Sequence, residues 1–182
     1  MDTKRFCSLI LVMLAIFSIA PSIADQASDK IQIVCTTSVL MDPATFIGGD
    51  NVEAISIADP TLCPHLQSDI IPNRVQLNMD FIKDADIFMA YNDSNDKNIN
   101  MPSVENFMEA NNFGTVEWKT VSDPSRGWNT PTTAKLLAAE VKGWLVEEDP
   151  ANESYYEERY DEYIETFDAV EPTDAEREQL NQ

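Results

Sequence analysis

Apolar residues recur along this chain in two rhythms. Between residues 31 and 121 they gather in short runs separated by polar or turn-forming stretches; beyond residue 130 they fall at helical spacing. "IQIVCTTSVL" (31–40) begins with β-branched residues and reads as a buried strand. "MDPATFIGGD" predicts a short helix stopped by Gly48-Gly49, since glycine favours helix C-termini. "NVEAISIAD" (51–59) is a second strand, followed by a turn-rich stretch from Pro60 to Asn73. The spacing predicts a helix over the second half of residues 75–85, then a compact apolar strand, "DIFMAY" (86–91). "NDSNDKNIN" (92–100) reads as polar loop. A helix with Pro102 at its first position follows, and "TVEWKTV" (115–121) is a fourth strand. Strand and helix alternating in this way predict a parallel sheet with helices on its faces.

After "SDPSRGWNTP" (122–131) the pattern becomes purely helical. Thr130-Pro131 opens a helix with Ala134, Leu137, Ala138, Val141, Trp144 and Leu145 on one stripe. Asp149-Pro150 caps the next, whose stripe is Tyr156, Tyr160, Tyr163, Ile164 and Phe167, an aromatic row that reads as core. Thr173 to Glu176 spells a capping box for a third start just before Gln182. The expected fold is therefore α/β: a parallel four-stranded sheet flanked by helices, then a long helix.

The first residues change the picture. Lys4 and Arg5 precede the apolar run from Phe6 to Ala20, which ends in Ser22-Ile23-Ala24. A charged start, a short apolar stretch and small residues describe a secretory signal peptide, and the run is short for a membrane span. We expect a signal peptide at 1–24, an α/β lobe at 25–129 and a helical segment at 130–182. Removing residues 1–24 takes the acids from 32 to 31 and the bases from 12 to 10, a net charge of −21. Such a chain repels nucleic acid, whose binding needs clustered Lys and Arg. The 14 acids of residues 145–182 read as a solvated helical face.

His65, in "PTLCPHLQSD" (60–69), is the single histidine of the chain. It follows the second strand, and loops after parallel strands are where α/β proteins place ligands. Two readings stand side by side: a metal ligand, or a loop histidine making one backbone hydrogen bond. Beyond the signal segment the cysteines are Cys35 and Cys63. Export favours a disulfide between them, or inert thiols; as thiolates they would join His65 in a Cys₂His cluster suited to zinc or copper(I). Asp59 and Asp69 are nearby oxygen donors. Thr36-Thr37-Ser38 would hold an oxyanion at a helix N-terminus, or simply cap that helix. Asn92-Asp-Ser94 and Asn152-Glu-Ser154 match the glycosylation pattern. No Gly-rich phosphate loop, His-Glu-x-x-His helix or Gly-x-Ser-x-Gly elbow is present, so enzyme readings fare poorly.

Segments 33–60, 60–69, 80–92 and 123–170 together resemble, in order and spacing, the N-terminal half of the zinc/manganese-type (cluster A-I) solute-binding proteins of metal ABC transporters. In that family "PTLCPHLQSD" is similar to the loop carrying the first metal-binding histidine. The resemblance implies an exported, extracytoplasmic protein of two lobes joined by a long helix, with Zn²⁺ or Mn²⁺ held between the lobes as transported ligand and a membrane permease as partner. It implies His65 as metal ligand and no enzymatic activity; Cys63 and Cys35 are candidate co-ligands only on the Cys₂His reading above, which the resemblance does not supply. The family's second histidine precedes a tryptophan; here the stretch is Asp123-Pro-Ser-Arg-Gly-Trp128. The third histidine and the carboxylate belong to a C-terminal lobe, which is expected to be absent. That leaves a shortened receptor, self-associating or paired with another lobe. The alternatives are a secreted interaction or adhesion module of the same fold, or a binder of a chelated or organic ligand touching Trp128.

Overall fold

A computed structural model describes residues 30–62, 67–126 and 129–170; the expected signal peptide, Cys63, His65, Trp128 and the capping box at Thr173 lie outside them. Four strands, β1 (Ile31–Cys35), β2 (Val52–Ser56), β3 (Ile87–Ala90) and β4 (Trp118–Thr120), form one sheet in the order β2-β1-β3-β4. Every pairing is parallel, with Cys35 level with Ser56 on one side and Met89 on the other. The helices are α1 (Ser38–Gly48), α2 (Ile71–Leu77), α3 (Met79–Lys83), α4 (Met101–Ala110), α5 (Pro131–Glu148) and α6 (Glu153–Asp168). This is the parallel sheet flanked by helices, with a long helix near its end, that the alternation implies.

Side chains of a strand alternate between faces, so each strand feeds two cores. Ile33, Cys35, Ile87 and Met89 pack on one face with Leu40 and Ile47 of α1, Leu137, Val141 and Leu145 of α5, and Tyr156 and Tyr163 of α6. Val34 and Phe88 point the other way, toward Ile71 and Val75 of α2, Ile82 of α3, and Val104 and Met108 of α4. Both faces of β1 are sealed, which is why it reads as a continuous apolar run.

The stripes of α5 and α6 behave as their spacing demands. Thr130 and Thr133 form a reciprocal capping box, and Pro131 sits in the first turn where its missing N–H does no harm. Tyr156 is fully buried and its hydroxyl donates to Asp149 Oδ2 at 2.8 Å. Tyr163 packs at 5.1 Å from both Phe46 and Phe167, contacts worth about 0.5–1.5 kcal/mol each beyond burial. Arg159 reaches back across the core face and donates from Nε and Nη2 to the Phe46 carbonyl, at 2.9 and 2.6 Å. A cation there satisfies an orphan carbonyl of the last turn of α1 and complements its dipole.

Three local expectations differ from the structure. The helix expected late in residues 75–85 is two short helices, the first already begun at Ile71 with Pro72 in its first turn. The prolines that read as turn residues include one serving a helix start. Within the expected loop 92–100, residues Asp96–Asn100 form a single π-helical turn continuing into α4. Asp149 also acts differently from a simple cap: it binds Asn152 and Tyr156, and α6 begins after a 3₁₀ turn at Pro150–Asn152.

Candidate functional site

The carboxyl ends of β1, β2 and β3 open into a cleft of about 330 Å³. Its walls come from Thr37 and Ser38 at the start of α1, Asp59 and Leu62 after β2, and Tyr91, Asp93 and Asn100 after β3. Ligand sites in parallel sheets form at this end because loops, not helices, close it.

The loop after β2, where His65 lies in sequence, is tied at its base. Gln67 is 5% exposed. Its Oε1 accepts from the Asp59 N–H at 3.1 Å, and its Nε2 donates to the carbonyls of Asp59 at 2.7 Å and Leu62 at 3.2 Å. One amide thus replaces the backbone partners that a loop lacks. Arg74 of α2 holds the approach, donating to the carbonyls of Ile57 (2.7 Å) and Ser56 (3.0 Å) and pairing with Asp59 at 3.5 Å. Asp59 Oδ1 takes both the hydroxyl (2.6 Å) and the N–H (2.9 Å) of Thr61. Those two bonds, with help from Arg74, hold its carboxyl below the ordinary aspartate range despite some desolvation.

The loop after β3 is organised by a fully buried carboxylate, Asp96. Its Oδ2 accepts from the Thr36 hydroxyl at 2.7 Å and the Asn92 N–H at 2.8 Å, and its Oδ1 accepts from Asn100 Nδ2 at 2.7 Å. Thr36 in turn accepts from the Tyr91 N–H at 3.3 Å. Asn92 turns the chain with a positive φ of 66°, a conformation asparagine tolerates better than most residues. Desolvation pushes the Asp96 pKa up, outweighing these hydrogen bonds. Tyr91 is pushed up too, by burial first and then by Asp93, Asp123 and Glu140.

Of the residues expected at a site, Cys35 is described: it is a free thiol, fully buried in the core on the α1 face, and outside the cleft lining. Burial pushes its pKa up and keeps it protonated. Cys63 and His65 lie outside the described residues, between Leu62 on the cleft wall and Gln67. Asp59 lines the cleft, whereas Asp69 is exposed away from its lining. Thr37 is the N-cap residue of α1, yet its side chain makes no capping hydrogen bond. Among the described residues no group of three or more His, Cys, Asp or Glu is arranged to hold a metal ion. No described helix is long and apolar enough to cross a membrane. Sequence reasoning missed Gln67, Asp96 and Asn100, which are polar and so invisible to an apolar-period reading.

Residues 33–180 match the model of the family described as ZnuA, zinc-uptake complex component A, periplasmic. No curated protein matches the chain. Among solved structures it is similar to one described as ZnuA, at 21% identity and TM-score 0.60, covering 78% of this chain and 56% of that one. The metal-dependent lipoprotein YcdH from Bacillus subtilis is similar at 21% identity and TM-score 0.56, covering 78% and 53%. Zn(II)-bound AdcA from Streptococcus pneumoniae is similar at 19% identity and TM-score 0.53, covering 78% and 31%. At these identities the structural likeness concerns the fold, and the chain spans about half or less of the length of these structures.

Proposed function

The chain belongs to the family of the periplasmic zinc-uptake complex component A, and from that premise we propose that it is an extracytoplasmic solute-binding component serving a metal-ion ABC transporter, not an enzyme. The cargo would be Zn²⁺ or Mn²⁺, delivered to a membrane permease. The α/β lobe, residues 25–129, would supply the capture surface, and residues 130–182 the helical segment joining it to a second lobe.

One observation carries this reading: the base of the segment containing His65 is clamped by Gln67 against the cleft at the strand ends. A loop fixed at both flanks presents a ligand with less ordering cost when metal binds. His65 would coordinate through a neutral imidazole. Cys63 is a candidate co-ligand; Cys35 would have to lose a proton in an apolar core to serve, which its burial opposes. A covering lobe or a second copy of the chain would close the rim near Leu62 and Ser122–Arg126.

A second reading has its own support. Where the family pattern carries a second histidine, Asp123-Pro-Ser is found, and Ser125 is folded back with its N–H donating to Asp123 Oδ1 at 3.2 Å. That favours a secreted interaction module of the same fold, or a receptor for a chelated or organic ligand.

Zinc and manganese titrations of the reduced chain by calorimetry, beside His65→Ala, decide between them. Micromolar or tighter binding that disappears with the substitution is expected. Absence of binding by the unsubstituted chain refutes the metal reading and favours the interaction module.

A further inference from the structure

The loop after β3 supplies one wall of the cleft, through Tyr91, Asp93, Asn95, Ile99 and Asn100. A single side chain fastens it to the sheet. Asp96 is fully buried, and its carboxyl meets only neutral donors: the Thr36 hydroxyl at the end of β1, the Asn92 N–H and Asn100 Nδ2. Thr36 also receives the Tyr91 N–H, so the start and the end of the loop hang on one hydroxyl–carboxyl pair.

A carboxylate taken out of water is normally paired with a cation; without one it keeps its proton instead. Among the described residues no cation pairs with Asp96. Lys97, next in sequence, is exposed. The titratable group acting on Asp96 is Asp93, a like charge on the same loop, whose Oδ1 accepts from the Asp96 N–H at 2.9 Å. From β1 the group that faces it is the Thr36 hydroxyl, and from the end of β3 the Asn92 N–H. Three hydrogen bonds favour the charged form, and burial outweighs them. The network also takes up a proton without moving its heavy atoms. The Thr36 hydroxyl donates to the ionised carboxylate at 2.7 Å, and it can accept from the neutral acid across the same distance.

We propose that Asp96 is a proton-operated catch: neutral, it holds the loop after β3 in place as a wall of the cleft, and its ionisation releases that wall. Opening the loop exposes the carboxyl to water, where an aspartate ionises at about 3.9. The closed loop therefore binds the proton more tightly than the open one. Closure is favoured by acid and is progressively lost as pH rises through the closed-state value. The inference goes beyond the proposed function, because it invokes neither a metal nor His65 and concerns the cleft whatever occupies it.

Two NMR measurements on the full chain in EDTA test it. The ¹³C signal of the Asp96 carboxyl should titrate above the ordinary aspartate value. Hydrogen exchange of the Asn92 and Tyr91 amides, corrected for intrinsic rates, gives the opening constant of the loop. That constant should rise at least about threefold between roughly pH 4 and pH 7. Asp96→Asn is neutral at every pH and should lose the rise. Thr36→Val removes a donor to the ionised form and should move the Asp96 titration further up, with Thr36→Ser restoring it. A carboxyl that titrates at or below the ordinary value, an opening constant flat with pH, a rise that survives in Asp96→Asn, or a titration indifferent to Thr36→Val each overturns the proposal. The carboxyl titration of the unsubstituted chain needs no variant, so it decides even where Asp96→Asn fails to fold.

Discussion

Replacing Gln67 by leucine would remove three hydrogen bonds at the base of the loop after β2 while keeping a similar volume in a site that is 5% exposed. Each neutral bond contributes about 1 kcal/mol net, giving roughly 3 kcal/mol. Asp59 is half-buried, so its freed N–H and carbonyl recover part of that from water. About 2 kcal/mol remains, or roughly thirty-fold in the opening equilibrium. Hydrogen exchange followed by NMR reads this directly, because the Asp59 amide bonds to Gln67 Oε1 whereas the Ile57 amide bonds to Cys35 O in the sheet. The Asp59 amide should exchange about thirty-fold faster, with Ile57 unchanged. Gln67→Glu should be no better, since it keeps the acceptor but turns an oxygen toward two carbonyls. An Asp59 amide that exchanges at the unsubstituted rate in Gln67→Leu, with an unmoved urea midpoint, would refute the clamp.

Other substitutions probe other parts of the argument. Asp96 has a raised pKa in the fold, so the native state holds its proton more tightly than the unfolded chain does. Its contribution to stability therefore grows as pH falls from neutral toward the ordinary aspartate value of about 3.9. Urea midpoints of Asp96→Asn measured over that range should lack this component relative to the unsubstituted protein; parallel pH profiles would contradict it. Asp59 is shifted the opposite way, so its contribution is lost as pH falls below that same value, and Asp59→Asn should flatten the acid limb. Gly49 ends α1 at a φ of 53°, and a Cβ there would overlap the Tyr155 hydroxyl, which accepts from the Asp50 N–H at 3.3 Å. Gly49→Ala should destabilise by about 1–3 kcal/mol, seen as a lower thermal midpoint. Tyr156→Phe strips the bond to Asp149 from a fully buried ring and should lower stability by about 1–2 kcal/mol in urea titration.

Apolar spacing carried most of the architecture. Leu137, Ala138, Val141 and Leu145 are buried where their period puts them, and the four strands appear in the expected order along the chain. The π-helical turn at Asp96–Asn100 was illegible for a physical reason. Its residues are polar, and they go inside because a carboxylate there finds Thr36, sixty positions earlier, together with Asn92 and Asn100. Nothing local in "NDSNDKNIN" announces that distant hydroxyl. Gln67 is similar: its burial follows from the path of the backbone at Asp59 and Leu62, not from its own character. Cys35 was legible as a strand residue, whereas the face its thiol meets was settled by the packing of α1 and α5.

The strand order β2-β1-β3-β4 has a consequence independent of any side chain. The chain leaves β1 toward the face of α1 and leaves β3 toward the face of α4, so two neighbouring strands part company where they end. A gap between them is a property of the winding itself. Mutation can furnish it with imidazole, hydroxyl or carboxylate, or strip it bare, but cannot fill it without rethreading the polypeptide. A lineage that loses one ligand chemistry at this place therefore retains the vacancy in which to acquire another.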